Sequence, residues 1–252
     1  MKIGTYEIDI VVQGFPGKAP HHGGLGWSTV ALIRNAGRTA LVDAGSFGMR
    51  KLLMDRLAKH GLKPADVTDV LLTHAHHDHC VNWTLFRHAR IVVGAQELAT
   101  ALKEPWGETP TPELYVRGLQ DWATLCAVTA GEEVFPGITA HLAPGHTRGH
   151  LIFVLSGVEP EVIFTGDAAK NRAELLSREA DMTYDAAVSA ASIEMIWKLW
   201  RRRPGTILIP GHDLPMTLEG GAPRYLGKRE AEITAWFGDD LRTTTRFPLT
   251  LD

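Results

Sequence analysis

His74-Ala75-His76-His77-Asp78-His79 packs four good metal ligands into six residues, directly after the apolar run Val70-Leu71-Leu72. In extended backbone, side chains at i and i+2 point the same way, so His74 and His76 can close on one ion. A turn into helix after them lets Asp78 and His79 face a second ion beside the first. Imidazole nitrogens with one carboxylate suit zinc first, and iron, manganese or cobalt less strongly. A histidine-rich tract can also be a surface accident or a tag. This one lies inside the chain, behind a buried-looking strand, which favours chemistry.

Three later pieces repeat the pattern of a ligand at a strand-to-loop junction. Ala143-Pro144-Gly145-His146-Thr147 follows the candidate strand Ile138 to Leu142, and Thr165-Gly166-Asp167 ends the run Glu161 to Phe164. Pro210-Gly211-His212-Asp213 ends Thr206 to Ile209. Glycine beside each ligand suits a tight turn with close backbone approach. One such turn is common; four in this order are hard to explain as separate loops.

Together with Leu41-Val42-Asp43-Ala44-Gly45 and Gly145-His146-Thr147-Arg148-Gly149-His150, these motifs span residues 41 to 213. The chain resembles the metallo-β-lactamase superfamily and, within it, the N-acyl homoserine lactonase group. The resemblance implies an α/β fold, a four-layer αββα sandwich, expected here as a single domain over 1–252. It implies two divalent metal ions, zinc first. His74, His76 and His146 would hold one, Asp78, His79 and His212 the other, and Asp167 would bridge them. Asp43 would support the ligand shell through the far nitrogen of a ligating histidine; the alternative is a plain turn aspartate. A hydroxide shared by the two ions would attack a substrate carbonyl, with Asp78 as a proton shuttle.

One position departs from the lactonase pattern. Those enzymes usually carry tyrosine three residues after the bridging aspartate, and Asp167-Ala168-Ala169-Lys170 puts lysine there. Lys170 could stabilise an oxyanion or capture a substrate carboxylate, which would make the small-molecule substrate anionic. A solvent-facing loop lysine is the equal alternative.

At 252 residues and 44% hydrophobic, the chain can bury a large core. Its net charge of −3 gives no electrostatic reason to expect nucleic-acid or membrane binding. No apolar run approaches a membrane span and the first residues do not read as a signal peptide, so a cytoplasmic location is expected. Cys80 and Cys126 form no disulfide framework, and Cys80 reads as a small buried residue. The oligomeric state is expected to be monomer or homodimer.

The elements that must position the ligands alternate along the chain. Ile8 to Val12, Ser28 to Ile33, Thr39 to Val42, Ile91 to Val93 and Leu151 to Leu155 read as further strands. Met49 to Lys59, Ala95 to Leu102, Asp185 to Arg202 and Gly227 to Leu241 read as helices. In the third of these Val188, Ala191, Met195, Ile196 and Leu199 form the expected core stripe, with Trp197 and Trp200 widening it. Arg201-Arg202-Arg203 suits a helix C-terminus. Residues 103–130 are either a lid facing substrate or an irregular excursion packed on the core. His21-His22 reads as a polar loop, His77 as pointing away from the ions, and His141 and His150 as packing or supporting groups.

The leading expectation is a dinuclear-metal hydrolase opening a lactone or cleaving a related small ester. A glyoxalase II-type thioesterase would use the same ligands but usually adds a helical substrate domain, and about 40 residues follow His212. A phosphodiesterase would bring a basic groove. A non-catalytic scaffold would usually have lost some ligands, and this chain keeps all seven.

Overall fold

The structure is a computed structural model that describes residues 1–21 and 23–250. Its first half supplies β1 (Lys2–Ile3), β2 (Tyr6–Val12), a ribbon of β3 (Lys18–Ala19) and β4 (Gly23–Gly24), then β5 (Val30–Asn35), β6 (Arg38–Val42), β7 (Asp69–Leu71), β8 (Arg90–Gly94) and β9 (Leu125–Val128). The second half supplies β10 (Glu133–Phe135), β11 (Ile138–Leu142), β12 (Leu151–Leu155), β13 (Val162–Gly166), β14 (Ile207–Pro210), β15 (Met216–Glu219), β16 (Ala222–Tyr225) and a final hairpin of β17 (Glu232–Ala235) and β18 (Thr245–Pro248). The α-helices are α1 (Arg50–Lys59), α2 (His77–Cys80), α3 (Ala95–Ala101), α4 (Glu113–Gln120), α5 (Arg172–Ser177) and α6 (Ala186–Arg201).

Two seven-stranded sheets result, ordered β1-β2-β5-β6-β7-β8-β9 and β10-β11-β12-β13-β14-β15-β16. The first is antiparallel through β6 and parallel from β6 to β9. In the second, only β13 and β14 run parallel. Ile8, Ile33, Leu71, Phe153, Phe164 and Ile209 pack between the sheets. Leu53 and Leu57 of α1, with Val116 and Leu119 of α4, cover the outer face of the first sheet. Ile193, Ile196, Trp197 and Trp200 of α6 cover the second. The layers are therefore αββα, as expected. Strands buried on both faces need no polar alternation, which is why β12 and β13 read as continuous apolar runs.

Two expectations change. Gly227 to Leu241 is not a helix: Ile233 and Thr234 sit in β17, whose partner β18 lies beyond the window, with Gly238-Asp239-Asp240 between them. The buried face of α6 is rotated. Ser189 and Ser192 are buried while Val188 and Ala191 are exposed, because the loop after β11 and the loop before α6 offer hydrogen bonds. Ser192 Oγ donates to the Pro144 carbonyl at 2.6 Å, and Ser189 Oγ meets Thr183 Oγ1 at 2.5 Å. Trp197 and Trp200 are the centre of that face, and their indole N–H groups donate to Leu175 and Thr206 carbonyls. In the 103–130 segment Glu104, Glu108 and Thr111 line a cavity, whereas α4 packs on the core. His21 is exposed, and His22 lies outside the described residues. No helix among the described residues is long and apolar enough to cross a membrane.

Candidate metal centre

The ligand-bearing turns meet at one edge of the sandwich, where the strands β6, β7, β11, β13 and β14 end. Backbone hydrogen bonds stitch the sheets together there: Leu151 N donates to Thr73 O and Thr29 N to Gly211 O. After β7 the chain stays extended through His76 and then enters the short helix α2, which swings Asp78 and His79 to the far side of the centre. Gly211 is required for close packing, because a Cβ there would run into Asp167 Oδ1.

Three overlapping groups of donor atoms gather, each within 4.8 Å: His74, His76 and His146; His74, His79 and Asp167; Asp78, His79 and His212. Every histidine and carboxylate expected to bind metal is in this set. Asp167 splits its two oxygens. Oδ1 lies 3.2 Å from His79 Nε2 and 3.3 Å from His212 Nε2, while Oδ2 lies 3.3 Å from His146 Nε2. Asp78 Oδ2 is 3.3 Å from His212 Nε2 and 3.6 Å from His79 Nε2. Donors about 2.0–2.1 Å from a tetrahedral zinc lie roughly 3.3 Å apart, so this spacing suits such an ion.

Outward contacts fix which nitrogen faces inward in three of the rings. His79 Nδ1 donates to Asp43 Oδ2 at 2.8 Å, and His146 Nδ1 to the Met182 carbonyl at 3.0 Å. Thr73 Oγ1 donates to Asp43 at 2.9 Å and can accept from His74 Nδ1 at 3.0 Å. The inward nitrogens then face one another: His76 Nδ1 and His146 Nε2 are 2.9 Å apart, His79 Nε2 and His212 Nε2 3.2 Å. His74 Nε2 and Asp167 Oδ1 are buried without any hydrogen-bond partner among the described residues. Lone pairs and a bare carboxylate oxygen crowded in this way fit cations between them.

Charge tells the same story. Burial resists an imidazolium, yet Asp167 and Asp78 push His79 well above the ordinary histidine range and His212 up to about 9. Burial raises Asp78, but His79 and His212 hold it below the usual carboxylate range. His74, His76 and His146 are lowered by burial, His76 to about 4, with neighbouring imidazoles opposing protonation further. A proton or a metal ion answers the same demand for positive charge.

Asp43 is thus a support for His79, held in a left-handed backbone conformation at φ 59°. His150 supports Asp167, accepting from its backbone N–H at 3.0 Å. Cys80 is buried and outside the ligand groups. His77 joins no group either, but it is exposed on the cavity wall. Lys170 is neither solvent-facing nor free. Its side chain is 13% exposed, and Nζ donates to the Asp181 carbonyl at 2.6 Å beside Glu174 Oε1 at 3.0 Å. Sequence reasoning missed Thr73, Glu97 and Glu174, since a buried carboxylate on a short helix looks like any surface glutamate until the fold is known. A cavity of about 1030 Å³ opens over the centre, bounded by the β3–β4 ribbon, residues 104–111 and residues 181–184.

The metallo-beta-lactamase superfamily pattern matches residues 23–212. Metallo-beta-lactamase domain-containing protein 1 of Mus musculus is 30% identical over 194 residues, covering 75% of this chain and 65% of that protein. Its Homo sapiens namesake is 26% identical over 242 residues, covering 93% and 82%. N-acyl homoserine lactonase AiiB of Agrobacterium fabrum is 26% identical over 174 residues, covering 64% and 62%. The aligned part spans 61% to 67% of the Xenopus laevis, Rattus norvegicus and Mus musculus relatives. The dizinc quorum-quenching lactonase AidC, solved with a product, superposes with a TM-score of 0.65 at 17% identity, covering 81% of this chain and 80% of that one. An N-acyl homoserine lactone hydrolase with N-hexanoyl-L-homoserine at its metal centre gives 0.65 at 18%, covering 84% and 94%. At that identity the two structures speak for the fold. Motif, geometry and fold agree, and the chain belongs to the metallo-beta-lactamase superfamily.

Proposed function

We propose that this member of a superfamily of metal-dependent hydrolases opens a lactone or cleaves a related small carboxylic ester, with His74, His76, Asp78, His79, His146, Asp167 and His212 holding two zinc ions. The observation that carries the reading is the split Asp167 carboxylate, one oxygen toward each group of facing nitrogens. When bound, two such ions make a shared water acidic and polarise a carbonyl oxygen. The chain's own residues do the rest. Asp43 and Thr73 fix the rings of His79 and His74, and Met182 O fixes His146. Asp78, with a side chain 22% exposed, is the most exposed carboxylate of the centre, and the oxygen not turned toward His79 and His212 can pass a proton during turnover. The two sheets share a core, which supports reading residues 1–252 as one domain.

Lys170 keeps a catalytic assignment as a fixed positive charge on the cavity wall, although Glu174 compensates much of it. Arg148 is the less compensated cation: it lines the cavity, stacks over the Tyr184 ring at 3.8 Å, and has no carboxylate within ion-pair distance among the described residues. An anionic group on the substrate suits this wall.

The test is proton release by the zinc-reconstituted protein on neutral acyl lactones, carboxylated lactones, thioesters and phosphodiesters. Turnover of lactones is expected, with carboxylated ones preferred. Turnover of thioesters or phosphodiesters alone would overturn the reading and leave the metal site standing. On the preferred substrate Lys170→Met is expected to cut kcat/KM about tenfold; an unchanged value would make Lys170 a wall residue only.

A further inference from the structure

Glu97 is a buried carboxylate for which neither the sequence motifs nor the proposed chemistry has a use. It sits in the first turns of α3, is 1% exposed, and has no cation within ion-pair distance among the described residues. Burying a carboxylate without a counter-charge is costly, so its hydrogen bonds must compensate. Oε1 accepts from Ala75 N at 2.9 Å. Oε2 accepts from Thr147 Oγ1 at 2.7 Å and from Gly149 N at 3.1 Å.

The donors come from the two loops that carry one of the ligand groups. Ala75 lies between His74 and His76, and Thr147 follows His146. Backbone packing enforces the same approach, since a Cβ on Gly149 would strike the Glu97 backbone. Nothing comparable links Glu97 to Asp78, His79 or His212, which are held by Asp43 and Asp167 instead.

We infer that Glu97 is a positioning residue for one metal ion only, clamping the 74–76 and 146–149 loops so that His74, His76 and His146 converge. The inference rests on the proposed ligand assignment. Each oxygen aims at one loop, so the carboxylate works as a spacer between them. An amide can satisfy one loop with its oxygen, but its NH2 group then confronts donors on the other.

The experiment compares the full-length protein with Glu97→Gln and Thr147→Val, titrating zinc against a competing chelator and following thermal unfolding of the metal-free forms. For Glu97→Gln we expect one of two zinc ions to weaken at least about tenfold, in the range seen when outer supports of ligands are lost. The other ion should hold its affinity, and the metal-free protein should melt a few degrees lower, because the amide faces a buried donor, while staying folded at the titration temperature. Thr147→Val, which removes one of three bonds, should give a smaller shift of the same ion. In a His212→Ala background, where the first group is left to bind alone, Glu97→Gln should weaken the remaining ion. Equal weakening of both ions, or two unchanged affinities, would overturn the inference. A wild-type protein that binds no zinc would instead overturn the ligand assignment beneath it.

Discussion

His74, His76 and His146 bring together three imidazoles, two of them buried, with Asp167 as the one carboxylate in contact, whereas His79 and His212 meet both Asp78 and Asp167 directly and have Asp43 behind them. Without metal, burial disfavours charge on the first three rings, whereas carboxylates favour it on His79 and His212. One half is therefore assembled by geometry, through Glu97, Thr73 and the Met182 carbonyl, and the other by charge. Removing a carboxylate should injure the second half, and removing a neutral contact should injure the first.

Asp167 belongs to both halves, so it sets the largest expected effect. Asp167→Asn should weaken both zinc ions by more than about a hundredfold, beyond the range typical of outer supports, and abolish turnover with them. Asp43→Asn should act mainly on the second half, weakening one ion about 10–100-fold and the other less, because Asp43 touches His79 directly but reaches His74 only through Thr73. Asparagine tolerates the left-handed backbone at this position, so the substitution adds no backbone strain. Chelator competition reads both variants. Equal loss of both ions in Asp43→Asn would erase the distinction between the halves.

A smaller effect separates the halves by pH in the metal-free protein. Histidines lowered in the fold, His74, His76, His146 and His150, contribute stability that is present above their unfolded value of 6.5. That contribution is lost as pH falls toward about 4 for His76. His79 and His212 are raised, so theirs is present below 6.5 and is lost as pH climbs through about 9 for His212. Melting temperature should therefore peak near neutrality and fall on both sides. A curve that rises steadily through the alkaline range would mean that the second half is not held by charge.

Much of this centre was legible in residue types, because metal ligands are few, polar and set next to glycine at strand ends. All seven expected ligands converge, and the strands β11 and β12 have the expected ends, since buried apolar runs advertise themselves. The layer order came from the family resemblance, as periodicity alone separates only strand from helix. What stayed hidden depends on distant partners. The face of α6 turned on two serine hydroxyls bonding neighbouring loops, and β17 on a partner ten residues further along the chain. Glu97 and Glu174 look like ordinary helix-surface acids until α3 and α5 are docked.

Metal removal tests the central claim most directly. The protein stripped by chelator should lose hydrolysis of its preferred substrate, and two equivalents of zinc per chain should restore it. Hydrolysis that survives complete stripping, or full recovery with a single equivalent, would contradict a centre in which both groups of ligands take part.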